Sequence, residues 1–260
     1  LVMKSKIKKN LLKKNKSKII CLTSYSKNFA SIVDKYSDII LVGDSLGSVL
    51  YNYNSTRHVT LKNMIDHSKS VRMGVSKSLM VVDMPYKSYS NKSEALKNAK
   101  KIIKYTKCDA VKLEGGRKIK NIVKHLIKNK VSVMGHLGIL PQSMVGKFKS
   151  KGKTEKEKNT LIKDSKMLES LGVFAIVLEC VNSNTAKKIT NSIKIPTIGI
   201  GSSFHCDGQI LVTDDLLGLN ETKIKFVKKF INIRKNIEQG IKKFKFEVIN
   251  KKYPSKKYSY

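Results

Sequence analysis

Four short apolar runs in this chain each end on a carboxylate: Ile39-Ile40-Leu41-Val42-Gly43-Asp44, Met80-Val81-Val82-Asp83, Ala110-Val111-Lys112-Leu113-Glu114 and Ala175-Ile176-Val177-Leu178-Glu179. Runs of this length, rich in Val and Ile and without polar alternation, read as strands buried on both faces, the habit of parallel sheets. Acids at the C-terminal ends of four such strands point to one place. In an α/β barrel that place is the active site.

Asp44, Asp83 and Glu114 are hard oxygen donors from three different strand ends. No His or Cys accompanies them at ligand spacing, which disfavours zinc; carboxylates completed by water and substrate suit Mg2+. The competing reading makes each acid a cap for the helix that follows it. Lys112 and Glu114 are two apart on one strand, so both face the barrel mouth. A lysine among Val and Leu is costly to bury unless it meets an anion. That anion is Glu114, another site acid or a substrate carboxylate. Glu179 is a fourth ligand, a structural acid or a general base, and a base must stay free of metal. His136 follows the run Val131–Gly135, either as a hydrogen-bonded structural residue or as a substrate contact.

These residues need a scaffold, and strand-like and helix-like segments alternate along the chain. The strands expected are Ile19–Thr23, Ile39–Asp44, Leu79–Asp83, Ala110–Glu114, Val131–Gly135, Ala175–Glu179, Pro196–Ile200 and Gln209–Val212. Between them the spacing predicts helices over Phe29–Tyr36, Leu61–Met73 behind a Thr60 cap, Lys92–Tyr105 behind Ser90, Ile119–Asn129, Glu155–Leu171 and Thr185–Ile193. Thr222–Phe244 closes the chain. Ala95, Ala99, Ile102 and Ile103 recur at helical spacing, with lysines on the other side. Eight strands with intervening helices predict a (β/α)8 TIM barrel, because parallel neighbours need crossover connections. The long stretches Gly47–Val59, Pro85–Asn91, Gly138–Lys153 and Gly201–Gly208 then fall on the catalytic face. The expected organisation is a single barrel domain over 1–260, with a basic N-terminal segment 1–18 and a helical tail from about 222 to 260.

Composition narrows the classes. The 260 residues suffice for one barrel, and 40% hydrophobic with 28% charged residues fits a globular protein with a real core. No stretch nears the roughly 18 apolar residues of a membrane-spanning helix. The basic Lys4–Lys18 stretch lacks the apolar core of a secretory signal. Four scattered cysteines, none in a CxxC pair, suggest neither a disulfide framework nor a zinc site and fit a reduced cytoplasmic protein. The net charge of +34 invites a nucleic-acid reading, yet only Arg57, Arg72, Arg117 and Arg234 of the 53 basic residues are Arg. Specific nucleic-acid sites favour Arg for bidentate contacts. Lysines spread over nearly every helix-like segment indicate solvated faces, so no specific nucleic-acid or membrane partner is expected. Phosphate-loop and HExxH elements are absent.

Read in order, the motifs closely resemble the ketopantoate hydroxymethyltransferase family. The matching stretches are Thr23-Ser24-Tyr25, Leu41-Val42-Gly43-Asp44-Ser45-Leu46-Gly47, Asp83-Met84-Pro85 and Val111-Lys112-Leu113-Glu114-Gly115-Gly116. They continue with Gly135-His136-Leu137-Gly138, Pro141-Gln142-Ser143, Leu178-Glu179-Cys180, Ile195-Pro196-Thr197-Ile198-Gly199-Ile200-Gly201 and Cys206-Asp207-Gly208-Gln209-Ile210-Leu211-Val212. The resemblance implies a barrel of the phosphoenolpyruvate/pyruvate superfamily, Mg2+-dependent, cytoplasmic and assembled as a large homo-oligomer, typically a decamer. It implies transfer of a hydroxymethyl group from 5,10-methylenetetrahydrofolate to the small 2-oxoacid 3-methyl-2-oxobutanoate, in pantothenate and coenzyme A synthesis. Asp44, Asp83 and Glu114 match the family's metal positions. Asp44, Ser45, Asp83 and Lys112 match its oxoacid contacts, Glu179 its proton acceptor, and Tyr25 and His136 its pocket lining. Three places depart from the family's pattern. Val145-Gly146-Lys147-Phe148-Lys149 is shorter than the usual Gly-Gly-Tyr loop, Gly199–Ser203 is less glycine-rich, and Ser26 replaces a common acid.

Overall fold

The computed structural model describes residues 5–144, 149–221 and 224–260. The chain divides into two compact units, Leu1–Val212 and Thr213–Tyr260. The first is a closed barrel of eight parallel strands in sequence order: β1 (Ile19–Thr23), β2 (Ile39–Val42), β3 (Leu79–Asp83), β4 (Ala110–Glu114), β5 (Val133–Gly138), β6 (Ala175–Glu179), β7 (Thr197–Ile200) and β8 (Gly208–Leu211). Pairing of Cys21 with Ile210 between β1 and β8 closes the ring.

Two departures from the expected strands bear on function. β2 stops at Val42, so Asp44 lies in the turn beyond it, and β5 runs Val133–Gly138, so His136 is a strand residue. Val131 and Ser132 precede the first β5 position that pairs with β4, Val133 opposite Val111. β7 begins one residue later than expected, and β8 runs one residue earlier at both ends.

Strand alternation sorts side chains into two layers. Ile19, Cys21, Ile39, Leu41, Leu79, Val81, Ala110, Met134, Ala175, Val177, Ile198 and Ile210 fill the barrel interior. Ile40, Val42, Met80, Val82, Val111, Leu113 and Ile176 face the helices. Each large apolar side chain so buried contributes about 1.5–3 kcal/mol. Continuing the inner rows upward places Asp83 above Leu79 and Val81, and Lys112 and Glu114 above Ala110. His136 follows above Met134, and Glu179 above Ala175 and Val177. The polar site is the top storey of the barrel core.

The helices of this unit are α1 (Ser5–Leu11), α2 (Lys27–Val33), α3 (Leu46–Tyr51), α4 (Leu61–Arg72), α5 (Lys92–Thr106), α6 (Lys120–Lys128), α7 (Glu155–Ser170) and α8 (Ser183–Ser192). α1 and α3 occupy stretches read from sequence as a basic segment and a loop. In α1, Ile7 is buried in the barrel interior cluster and Leu11 packs against it, and a single i, i+4 pair among lysines is too short a pattern to mark a helix. The Thr60 cap of α4 is present as a full capping box with Asn63, whereas α5 is capped by Asn91, not Ser90. α8 starts two residues earlier than expected because Asn182 caps it. α5 buries Ala95, Ala99 and Ile102 as its stripe predicts.

The second unit holds the short helix α9 (Thr213–Leu216) and α10 (Ile233–Ile249). The closing helix expected over Thr222–Phe244 therefore begins at Ile233, with Asn232 accepting from the Lys235 amide at 3.4 Å. Residues 222 and 223 lie outside the described residues.

Candidate active site at the barrel mouth

Every site residue expected from the sequence falls into one connected cluster. Tyr25 Oη and Ser45 Oγ are 2.8 Å apart. The Asp44 amide donates to Asp83 Oδ2 at 3.0 Å, and Asp83 Oδ1 forms an ion pair with Lys112 Nζ at 3.1 Å. Lys112 Nζ is 3.2 Å from His136 Nδ1, which lies 3.5 Å from Glu114 Oε1. On the ring's other side, His136 Nε2 is 3.1 Å from Glu179 Oε2, an ion-pair contact off the line of a good hydrogen bond. Asp44, Asp83, Lys112, Glu114 and His136 are buried; Glu179 is partly open. The partner of Lys112 is thus Asp83 rather than its strand neighbour Glu114.

The capping role is taken by other residues. Asn91 caps α5, Asn182 caps α8, and α3 starts after Ser45 with no side-chain cap. Glu114 instead accepts from the Gln142 amide at 3.0 Å. The acids are held for something else.

Charge balance suggests what that is. Burial, with Asp83 and Glu114 close by, raises the Asp44 carboxyl well above its ordinary range despite Lys112. Asp83 is also raised, chiefly by burial. Burial works against the Lys112 ammonium, but Asp83, Glu114 and Asp44 outweigh it and hold its pKa above normal. Burial opposes the Glu114 charge too, yet His136 and Lys112 pull its pKa down. For His136, burial and Lys112 favour the neutral ring, while Glu114 and Glu179 favour the imidazolium and push its pKa up to about 9. At Nδ1 the ring faces the Lys112 ammonium at 3.2 Å and the Glu114 carboxylate at 3.5 Å.

Asp44, Asp83, Glu114 and Glu179 together outnumber Lys112 and the His136 imidazolium, leaving negative charge that a divalent cation would balance. The donors are hard oxygens, and buried Asp83 Oδ1 has the Lys112 ion pair at 3.1 Å but no hydrogen-bond partner. This donor set fits Mg2+. Among the described residues no three His, Cys, Asp or Glu side chains are grouped closely enough to form a ready-made metal cage.

Gln142, Tyr89 and Arg57 also belong to the site. Gln142 Nε2 donates to Asp44 Oδ2 at 2.7 Å, the Tyr89 hydroxyl donates to Gln142 Oε1, and Arg57 Nε donates to the Gln142 carbonyl at 2.8 Å. Pro141-Gln142-Ser143 stood out as a motif, but no periodicity or charge pattern gave it a task. The loop variation at Val145–Lys149 lies outside the described residues over 145–148.

Comparison with known proteins settles the family. A family profile described as ketopantoate hydroxymethyltransferase matches residues 4–256. The chain belongs to the ketopantoate hydroxymethyltransferase family. Its relatives include the 3-methyl-2-oxobutanoate hydroxymethyltransferase of Pelagibacter ubique, 63% identical over 258 residues, covering 99% of this chain and 100% of that protein. Those of Clostridium botulinum and Anaplasma marginale are 45% and 42% identical, covering 96% and 95% of this chain and 92% and 90% of theirs. The barrel is also similar to phosphonopyruvate hydrolase solved with oxalate and Mg2+. The TM-score is 0.63 at 9% identity, covering 97% of this chain and 93% of that one. A 2,3-dimethylmalate lyase of the PEP mutase/isocitrate lyase superfamily gives 0.63 at 11%, covering 98% and 88%. At such identities the likeness bears on fold alone. Among the described residues no helix is long and apolar enough to cross a membrane.

Proposed function

We propose that this protein transfers a hydroxymethyl group from 5,10-methylenetetrahydrofolate to 3-methyl-2-oxobutanoate, giving ketopantoate for pantothenate and coenzyme A synthesis. The observation that carries this reading is the buried run Asp44–Asp83–Lys112–His136–Glu179 at the mouth of a barrel of this family. The proposed setting is the cytoplasm, as a homodecamer or another large homo-oligomer.

Asp44, Asp83 and Glu114 would hold Mg2+, and the ion, when bound, supplies Lewis-acid polarisation of the oxoacid carbonyl. Lys112, kept cationic by Asp83, offers the charge that a substrate carboxylate requires, so the oxoacid binds with its carboxylate end toward Lys112 and Ser45. The Ser45 hydroxyl is oriented by Tyr25 Oη at 2.8 Å. The partial exposure of Glu179 suits a group that must meet substrate, and its contact with His136 holds the carboxylate in place as the proton acceptor for C3–H. Loss of that proton lets C3 form a bond to the folate's methylene carbon; both carbon–nitrogen bonds to that carbon break, water supplies its hydroxyl, and tetrahydrofolate leaves with its two nitrogens carrying the C3 proton and the second proton of water. The enclosed floor beneath (Val81, Met134, Val177) keeps bulk water from below the reacting carbon.

The test is ketopantoate formation by purified protein from 3-methyl-2-oxobutanoate and 5,10-methylenetetrahydrofolate. Turnover is expected with Mg2+ and loss of it after chelation. No ketopantoate under either condition, with cleavage of a longer oxoacid instead, would replace this reading by a carbon–carbon lyase.

A further inference from the structure

Gln142 is 2% exposed and takes part in no step described above, yet it makes five hydrogen bonds inside the site. Its Nε2 donates to Asp44 Oδ2 at 2.7 Å and to the Met84 carbonyl at 3.0 Å, and its Oε1 accepts from the Tyr89 hydroxyl at 2.5 Å. Its backbone amide donates to Glu114 Oε2 at 3.0 Å, and its carbonyl accepts from Arg57 Nε at 2.8 Å. The Met84 carbonyl can only accept, which fixes the nitrogen of the side-chain amide on that side and leaves the oxygen for Tyr89.

An amide in this place is not explained by filling space. A leucine has similar volume and avoids the cost of burying an amide, a cost offset here only because both N–H groups find acceptors. What the amide adds is direction without charge. Lys112 neutralises Asp83, whereas Gln142 orients Asp44 through its side chain and Glu114 through its backbone and leaves both charges for a cation. One residue of the loop after β5 therefore sets the placement of two acids that come from β2 and β4.

We propose that Gln142 is a positioning residue that sets the divalent-cation affinity of the acid cluster, with Tyr89 locking its amide in the donating orientation. The inference rests on the reading that the cation binds among Asp44, Asp83 and Glu114. Groups that orient metal ligands from behind typically change affinity by about 10–100-fold when removed. A single neutral hydrogen bond is worth about three- to tenfold.

Mn2+ binding to the full-length protein, followed by electron paramagnetic resonance with Mg2+ as competitor, tests this without any turnover. Wild type should bind Mn2+ in a form displaced by Mg2+. Gln142→Leu should bind it about 10–100-fold more weakly, and Tyr89→Phe about three- to tenfold more weakly. The double variant should be no weaker than Gln142→Leu alone, because the hydroxyl acts only through the amide. Wild type without Mg2+-displaceable Mn2+ would overturn the cation reading itself. Wild-type binding with Gln142→Leu within twofold, or with additive losses in the double variant, would overturn the role of Gln142 and leave the cation reading standing. Should Gln142→Leu not fold, Tyr89→Phe decides: weakened Mn2+ binding supports the proposal, and unchanged binding refutes it.

Discussion

Glu179 carries the proton-transfer assignment, and its surroundings make that assignment testable. It is the most open of the site acids, and among the described residues its close ionic contact is His136 at 3.1 Å. Glu179→Gln preserves shape and removes the base, so kcat should fall by about 10²–10⁴-fold while oxoacid KM changes little. A variant within a few fold of wild type in kcat would remove Glu179 from the mechanism. The sequence makes Asp83, Glu114 and Glu179 conspicuous because a carboxylate ending an apolar strand contradicts its surroundings. Gln142 escapes the same reasoning because it is uncharged, sits in a single 3-10 turn (Pro141–Ser143) and gains its importance from partners 28 to 98 residues away in sequence. Lys112 lies between, since a charge among Val and Leu demands a partner but strand spacing alone does not select Asp83 over Glu114.

Elements hold these residues through connections that sequence periodicity does not encode. Asp34, at the end of α2, accepts from the amides of Ser76, Lys77 and Ser78 and from the Ser76 hydroxyl, tying down the turn that leads into β3 and so toward Asp83. Burial opposes its charge, but these amides prevail and hold its carboxyl below the usual range. A depressed folded pKa stabilises above the unfolded value of about 4 and loses that contribution as pH falls toward the folded value. Asp34→Asn should therefore cost about 1–3 kcal/mol at pH 7, and the gap from wild type should narrow in urea melts as pH drops below about 4. A gap that is absent at pH 7, or that widens in acid, would contradict this. Strand interiors were legible because both faces are buried. Their ends were not, since pairing partners set them: Gly138 extends β5 by pairing with Glu179, with φ of +100° and only 2.2 Å between a hypothetical Cβ and the Glu179 carbonyl oxygen.

At the scale of the whole molecule, the alternation of strand and helix was enough to give the barrel, because a closed parallel ring is what eight such units build. The charge of +34 invites a nucleic-acid partner, a reading that the scarcity of Arg argues against. Most of the lysines lie at the surface, and at physiological salt their interactions are screened over about 8 Å. The protein should be retained on random-sequence DNA at about 50 mM salt and released as salt rises several-fold, with no preference between sequences. Salt-resistant, sequence-selective retention would mean that the basic surface reads nucleic acid.

Calorimetric titration of 3-methyl-2-oxobutanoate into the protein, with Mg2+ and after chelation, tests the central claim most directly. The oxoacid should bind with Mg2+, weaken at least tenfold without it, and lose that metal dependence in Asp83→Asn. Equal affinity with and without the ion, or an unaltered Asp83→Asn titration, would show that the buried acids do not hold a cation for the substrate.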